Sequence, residues 1–286
     1  MSGVIGADRA VLSPVGEKSP GVRTGLIVGR EQGLVHLDVG MVEIAPGGSA
    51  SGHYHPYEES FHVLDGSGLV SISGRSYRVG PGDFGMAPLG APHAWSNPGA
   101  QPLRFFRVRS PLPRAQDDLK SVYWTDDATV PTDGREPPVT PRPYAPVSRF
   151  RDEHLPPPGP ISIRGHRGPN VSDVRVWMLI DDMVGAVHHT MFIVEFVPIA
   201  GAQNAANHYH PFEEAYFFLS GSAIAHLDGG DREVGAGDVV YAATNELHGY
   251  TMTSEGPVRW IEVQAPAPPP SGAFFFPEEW NADASD

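Results

Sequence analysis

The sequence contains no cysteine. Disulfide bonds, thiolate-bound zinc and cysteine-bound iron–sulfur clusters are therefore excluded. Any metal ion that the chain binds must be held by histidine, carboxylate or other oxygen ligands. With 13 histidines and 34 acidic residues, the chain has enough ligands of both kinds.

Long apolar runs and an excess of positive charge are also missing. No stretch approaches the roughly 18 apolar residues of a membrane span, and residues 1–21 have no apolar core of the secretory-signal kind. The net charge is −14, and an acidic surface repels phosphate backbones. We therefore expect a soluble, cytoplasmic protein without a membrane or nucleic-acid partner.

Glycine and proline, by contrast, are abundant, at 33 and 30 of 286 residues. They separate short runs of β-branched and aromatic residues, such as 34–44, 60–64 and 103–108. No helix of convincing length is indicated in this pattern. The composition therefore predicts an all-β protein of many short strands joined by turns, long enough for two domains.

The chain repeats itself. Residues His53–Gly66 and His208–Gly221 share 8 of 14 positions at an offset of 155, since HYHPYEESFHVLDG aligns with HYHPFEEAYFFLSG. Upstream the offset is 152, and a proline-rich stretch separates the copies. We predict five segments: an N-terminal arm (1–32), a first domain (33–113), a linker (114–184), a second domain (185–268) and a C-terminal tail (269–286).

Each copy carries a potential metal site. His53 and His55 point to one face if they lie on a strand, because side chains alternate; Glu59 follows after a bend and His93 lies on a later strand. Three imidazoles and a carboxylate suit a divalent transition metal, with iron, manganese, nickel, copper and zinc as candidates. The second copy supplies the same set: His208, His210, Glu214 and His248.

Neighbouring acidic residues offer an alternative. Glu58 and Glu213 precede the carboxylates named above and could replace them as ligands. The six-residue spacing from Glu59 to Gly66 favours the original pair.

The spacing resembles both sequence motifs of the cupin superfamily. In the first copy, Gly47, His53, His55, Glu59 and Gly66 stand at the positions of the first motif, and 82–97 reproduces the second. The second copy departs at turn positions: Gly201 is one residue too far from His208, and Ala243, Asn245 and Met252 replace the family's proline, glycine and asparagine. All four presumed ligands are kept.

Resemblance to bicupins implies two jelly-roll barrels packed pseudo-symmetrically, one metal ion in each, and a homo-oligomer. The alternation also indicates pocket residues: Tyr216 shares the face of Glu214, and Trp95 and Tyr250 follow the late histidines by two. These three are candidate catalytic residues, although each could instead fill the barrel. The Phe274–Phe276 run of the tail is expected to dock on the body or on a second subunit, or alternatively to form a lid.

A metal with open positions supports several reactions on a small-molecule substrate. The histidines and the flanking aromatic residues favour an oxygen-dependent dioxygenase acting on an enolic or aromatic compound, as in quercetinase-type cupins. The alternatives are a hydrolase or isomerase similar to ureidoglycine aminohydrolase-like bicupins, and a binding protein without catalysis. Oxalate decarboxylases are less similar, since neither 49–52 nor 203–207 contains their arginine before the His-x-His pair.

Overall fold

The computed structural model of the chain describes residues 2–112, 121–139, 145–163, 166–168, 170–197 and 204–277. The regular secondary structure of the described chain consists almost entirely of strands, which confirms the predicted all-β class. Its short 3₁₀ turns are Ala7–Arg9, Arg30–Gln32, Asp152–His154 and Asp182–Val184.

Eleven strands precede the linker. They are β1 (Gly3–Gly6), β2 (Ser13–Pro14), β3 (Val22–Val28), β4 (Asp38–Ile44), β5 (Ser49–Tyr54), β6 (Glu58–Asp65), β7 (Gly68–Ile72), β8 (Arg75–Val79), β9 (Asp83–Ala87), β10 (His93–Ser96) and β11 (Leu103–Ser110).

Thirteen follow from the linker onwards. They are β12 (Tyr123–Trp124), β13 (Val147–Arg149), β14 (Ile161–Ile163), β15 (His166–Gly168), β16 (Val174–Ile180), β17 (Thr190–Phe196), β18 (Ala205–His208), β19 (Glu213–Ser220), β20 (Ser222–Leu227), β21 (Arg232–Gly235), β22 (Asp238–Ala242), β23 (His248–Met252) and β24 (Val258–Ala265).

Each half folds into a barrel of two antiparallel sheets. The first barrel combines the sheet β13-β9-β6-β11-β4-β3-β2 with the sheet β12-β5-β10-β7-β8. The second combines β1-β22-β19-β24-β17-β16 with β18-β23-β20-β21. The repeated sequence thus forms the repeated jelly roll that the resemblance implies.

Three apolar clusters hold the molecule together. One fills the first barrel around Phe61, Trp95 and Phe105, and one fills the second around Tyr216 and Trp260. The third lies between the barrels, where outward-facing residues of both halves meet. At its centre the rings of Phe106 and Phe217 stack with centroids 5.1 Å apart. The two barrels are therefore packed face to face by their large sheets.

The barrels extend beyond the repeat seen in the sequence. β3, in the predicted arm, pairs with β4 of the first barrel, and β16, in the predicted linker, pairs with β17 of the second. The two halves also exchange strands. β1, which precedes the first barrel, pairs with β22 of the second, and β13, which precedes the second barrel, pairs with β9 of the first. The predicted limits at 33 and 185 thus mark the repeated motif, and paired strands lie outside them.

The strand expected from Leu34 begins later, at Asp38. Gly33 adopts a φ of 90°, and the amides of Val35, His36 and Leu37 donate to the carboxylate of Glu213 instead of to a neighbouring strand. An amide bound to a side chain is not free for the sheet. The second copy has the same arrangement, with Gly185 at a φ of 96° before β17.

Among the described residues, no helix has the length and apolar content needed to cross a bilayer.

Candidate metal centres

The first centre lies on the small sheet of the first barrel. His53 is on β5 and His55 directly follows it, while His93 begins β10 and is the register partner of His53. The ligand nitrogens of these three histidines lie within 4.8 Å of one another. Glu59, on β6 across the barrel, has its Oε2 3.7 Å from Nε2 of His55. The structure therefore gathers the three predicted histidines at one point of the interior, and Glu59 lies beside them, outside the group whose ligand atoms are all within 4.8 Å of one another.

Hydrogen bonds set the imidazoles for metal binding. The Nδ1 of His53, His55 and His93 contacts the carbonyl oxygens of Ser51, Ser121 and Ala91 at 2.7–2.9 Å. Because a carbonyl only accepts, Nδ1 must carry the proton, and the Nε2 lone pair is directed to the shared point. Nε2 of His93 is buried without a hydrogen-bond partner among the described residues, which is the arrangement that a metal ion would complete.

The charge states also fit a cation. Burial lowers the pKa of His93 to about 3 and that of His55 below its ordinary value, so both are neutral at neutral pH. Burial alone would raise the pKa of Glu59, but His55, Arg107 and His93 lower it to about 2. Neutral imidazoles and an ionised carboxylate are the protonation states that a divalent transition metal requires.

The second centre is more tightly closed. The ligand atoms of His208, His210, Glu214 and His248 all lie within 4.8 Å of one another, and all four side chains are buried. Each histidine again places Nδ1 2.8 Å from a backbone carbonyl oxygen. Oε2 of Glu214 lies 2.8 Å from Nε2 of His210 and 3.0 Å from Nε2 of His248.

Tyr216 reaches into this second cluster. Its hydroxyl donates to Glu214 and lies 3.0 Å from Nε2 of His248. Burial and the charge of Glu214 raise the pKa of the tyrosine well above its ordinary value. Tyr250 packs behind it, with ring centroids 5.2 Å apart. Of the two tyrosine candidates, Tyr216 contacts the cluster directly and Tyr250 belongs to the surrounding wall.

Trp95, the third candidate, lines a cavity of about 150 Å³ in the first barrel. Its ring stacks on Phe105 at 4.6 Å and meets Phe61 edge-on at 4.8 Å. The same cavity is bounded by His53, His55 and Glu59. The first centre therefore opens on a pocket with flat aromatic walls.

Two pairs of pocket residues were missed in the sequence. Arg107 and Arg109 on β11 face the first cavity. The offset of 155 maps them onto Glu262 and Gln264 of β24, and the amide of Gln264 donates to both Glu214 and Glu262. Strand alternation from Phe105 could have found them, since residues i+2 and i+4 share its face.

The chain segments after each barrel return across the two centres. β12 pairs with β5, so Trp124 lies opposite His53, with ring centroids 5.5 Å apart. In the tail, Phe275 bridges Tyr209, and the rings of Phe274 and Phe276 lie 5.3 and 5.4 Å from that of His208. The expectation that the tail docks on the body holds for its described part, and the docking place is the mouth of the second centre.

Glu58 and Glu213 take no part in either cluster. Glu58 accepts hydrogen bonds from the amides of Val187 and His188 and contacts His189 at 3.0 Å, while Glu213 binds the equivalent loop of the other half. Strand alternation turns them outwards, towards the partner barrel. His189 has no histidine counterpart in the first copy, and its side chain is fully buried in this contact with Glu58.

Comparison with known proteins agrees with this architecture. The family described as Cupin domain matches residues 40–109 and 194–264. The tetracenomycin polyketide synthase protein TcmJ of Streptomyces glaucescens is 29% identical over 135 residues, which are 46% of this chain and 77% of that protein. Mannose-1-phosphate guanylyltransferase of Escherichia coli is 29% identical over 84 residues, 29% of this chain but only 18% of that protein's length.

Solved structures match nearly the whole chain. An oxalate decarboxylase structure from Bacillus subtilis, concerned with its Mn(II) centres, has a TM-score of 0.63 at 20% identity, covering 98% of this chain and 80% of that one. The formate complex of the Lactobacillus farciminis enzyme has the same TM-score at 18% identity and covers 98% and 90%. At these identities the likeness is one of fold. The cupin-domain model matches both halves over the strands that carry the histidines, so this chain carries two cupin domains in tandem, the arrangement of a bicupin.

Proposed function

We propose that this bicupin is a metal-dependent enzyme whose substrate enters the first barrel, and that it is an oxygen-dependent dioxygenase of an enolic or aromatic compound. The observation that carries the proposal is the cavity of about 150 Å³ beside His53, His55 and Glu59. It joins a set of metal ligands to a wall of stacked aromatic rings. Such a pocket suits a small, planar molecule.

The donor atoms fit a divalent transition metal, as the imidazole tautomers and the orphaned Nε2 of His93 indicate. When bound, a redox-active ion supplies Lewis acidity and one-electron chemistry. The chain's own residues orient the substrate, since Trp95 and Phe105 form one stacked wall. Trp124 and Ser121, brought by the linker, lie against His53 and His55 and form the side of the pocket next to them.

Two comparisons support this choice without reaching the reaction itself. A relative is named as a polyketide synthase protein, and chains of alternating ketones enolise and cyclise readily. The structural neighbours with Mn(II) centres make manganese a candidate beside iron, nickel, copper and zinc. A homo-oligomer and a small-molecule substrate remain part of the proposal.

The test begins with elemental analysis of the purified full chain. Protein loaded with iron, manganese, nickel or copper is then screened for oxygen uptake with enolised 1,3-diketones and catechols. We expect uptake that depends on the metal and is lost in His53→Ala. Turnover of the same compounds at full rate under argon would overturn the dioxygenase and favour the hydrolase or isomerase. Absence of any tightly held metal would favour a binding protein.

A further inference from the structure

The last strands of the two barrels carry opposite chemistry at the same positions. On β11, Phe105, Arg107 and Arg109 face the first barrel's interior. At the equivalent places of β24 stand Trp260, Glu262 and Gln264. A pair of cations in one barrel is thus replaced by a carboxyl and an amide in the other.

Arg107 is an unusual cation. It is 8% exposed, its Nη1 donates to the hydroxyl of Thr24 at 2.7 Å, and its Nε is buried without a hydrogen-bond partner among the described residues. No carboxylate within the described chain forms an ion pair with it. Buried arginines without a carboxylate or other anion are rare, because removing the charge from water is costly.

The neighbouring charges leave the site positive once a metal is present. Arg109 donates two hydrogen bonds of 2.7 and 2.6 Å to Asp38, so these two charges neutralise each other. Glu59 is the other nearby carboxylate, and it belongs to the metal cluster. A divalent ion together with both arginines therefore outweighs the negative charge of Glu59 and Asp38.

We propose that the first barrel binds its substrate as a small organic carboxylate, with Arg107 as the anchor of the carboxylate group, and that the second barrel does not share this selectivity. The guanidinium presents paired donors that match the two oxygens of a carboxylate. A cavity of about 150 Å³ has room for roughly five water volumes, which suits an acid of a few carbon atoms. The inference rests on the proposed function and adds the charge of its substrate.

The test is calorimetric titration of the zinc-loaded full chain, because zinc allows binding to be measured without oxygen chemistry. The probes are acetate and pyruvate, each paired with its uncharged amide, acetamide and pyruvamide. We expect one carboxylate site per chain and at least about ten-fold weaker binding of the amides, as for the loss of a charged hydrogen bond. Equal affinity for acids and amides in the unaltered protein would overturn the proposal, whatever the variants do.

Substitutions locate the site. Arg107→Gln should weaken carboxylate binding about ten-fold or more with metal content unchanged, and Arg107→Lys should fall between, since it keeps the charge but loses the fork. Arg104→Gln is the matched control, because Arg104 lies on the same strand but faces outwards to Glu43. Unchanged affinity in a folded, metal-loaded Arg107→Gln protein would also overturn it.

The outcome separates this inference from the proposed function. Carboxylates that bind through Arg107 without oxygen uptake in the redox-metal protein would refute the dioxygenase alone. Oxygen uptake with uncharged enols, together with no preference for acids, would refute the carboxylate anchor alone.

Discussion

At the scale of single residues, the backbone decides how the imidazoles act. Each of the six histidines in the two clusters has Nδ1 against a backbone carbonyl oxygen. A side chain replaced at such a position leaves both the metal and the carbonyl without a partner. Because the two clusters share no residue, a single histidine substitution should remove the metal site of one barrel and leave the other intact.

We predict that His53→Ala and His208→Ala each lower the metal content from about two ions per chain to about one, since the loss of one of four ligands weakens metal binding. Elemental analysis after gel filtration measures it. His226→Ala is the control, because His226 lies on β20 and binds Asp231 and Thr251 instead. Full metal content in either single variant would show that its histidine is not a ligand.

His62 is buried in the layer between the barrels with both ring nitrogens lacking a hydrogen-bond partner in the described chain. Burial lowers its pKa to about 4. Below pH 6.5 the unfolded chain therefore binds a proton that the folded chain refuses, so stability is lost as pH falls from 6.5 towards 4. Over this window the loss reaches about 3 kcal/mol, at ~1.4 kcal/mol per pKa unit.

Replacing His62 by phenylalanine, the residue at the equivalent position 217, should remove this acid sensitivity. Urea midpoints of the chelator-treated protein at pH 7 and pH 5 measure it. The remaining histidines titrate equally in both proteins, so the difference between them reports His62. A variant that loses as much stability on acidification as the parent would contradict the assignment.

At the scale of elements, short returning segments cover the two centres. After the first barrel, β12 pairs with β5, the strand that leads into the first His-x-His pair. After the second barrel, Phe275 forms an isolated bridge with Tyr209, which lies between the two histidines of the second pair. The tail brings the rings of Phe274 and Phe276 within 5.5 Å of the imidazoles. Apolar cover of this kind limits the access of water and chelators.

We predict that Phe274→Ala together with Phe276→Ala accelerates metal loss from one of the two sites, about ten-fold or more if the rings supply ~1.4 kcal/mol to the barrier. Competition with a coloured chelator measures it as a fast phase of half amplitude. Phe275→Ala is the control, since its ring stacks on Tyr209 and is 37% exposed. An unchanged slow phase in the double variant would show that the tail does not guard the site.

At the scale of the whole molecule, each half contributes strands and buried carboxylates to the other. Besides the strands β1 and β13, each half lends a carboxylate to the other: Glu58 binds the loop at 187–189 and Glu213 the loop at 35–37. These contacts are buried and nearly two-fold symmetric. Burial alone would raise the pKa of Glu58, but the hydrogen bond from His189 and the loop amides lower it.

Glu58→Ala and Glu213→Ala should each lower the free energy of unfolding by about 3 kcal/mol or more, because several buried amides lose their acceptor at roughly 1–3 kcal/mol each. Thermal and urea unfolding measure the change. Glu233→Ala is the control, as Glu233 is exposed, and it should cost less than about 0.5 kcal/mol. Losses no larger than this control would show that the loops do not depend on the carboxylates.

The sequence by itself determined the β class, the two-fold repeat and the residues of both metal clusters, because ligand spacing and strand alternation are local properties of the chain. It also favoured Glu59 over Glu58 as the ligand, through the six-residue spacing to Gly66. Arg107 and Glu262 were within reach of the same reasoning, since they follow Phe105 and Trp260 by two.

Only the tertiary structure decided which segments meet across long separations. That β1 joins the second barrel, that Ser121 receives the hydrogen bond of His55, and that Phe274 covers His208 depend on chain paths through segments without periodicity. The role of Glu213 was hidden for the same reason, as its partners lie 176–178 residues away. Local pattern fixes which face a side chain takes, whereas packing of the two barrels fixes what that face contacts.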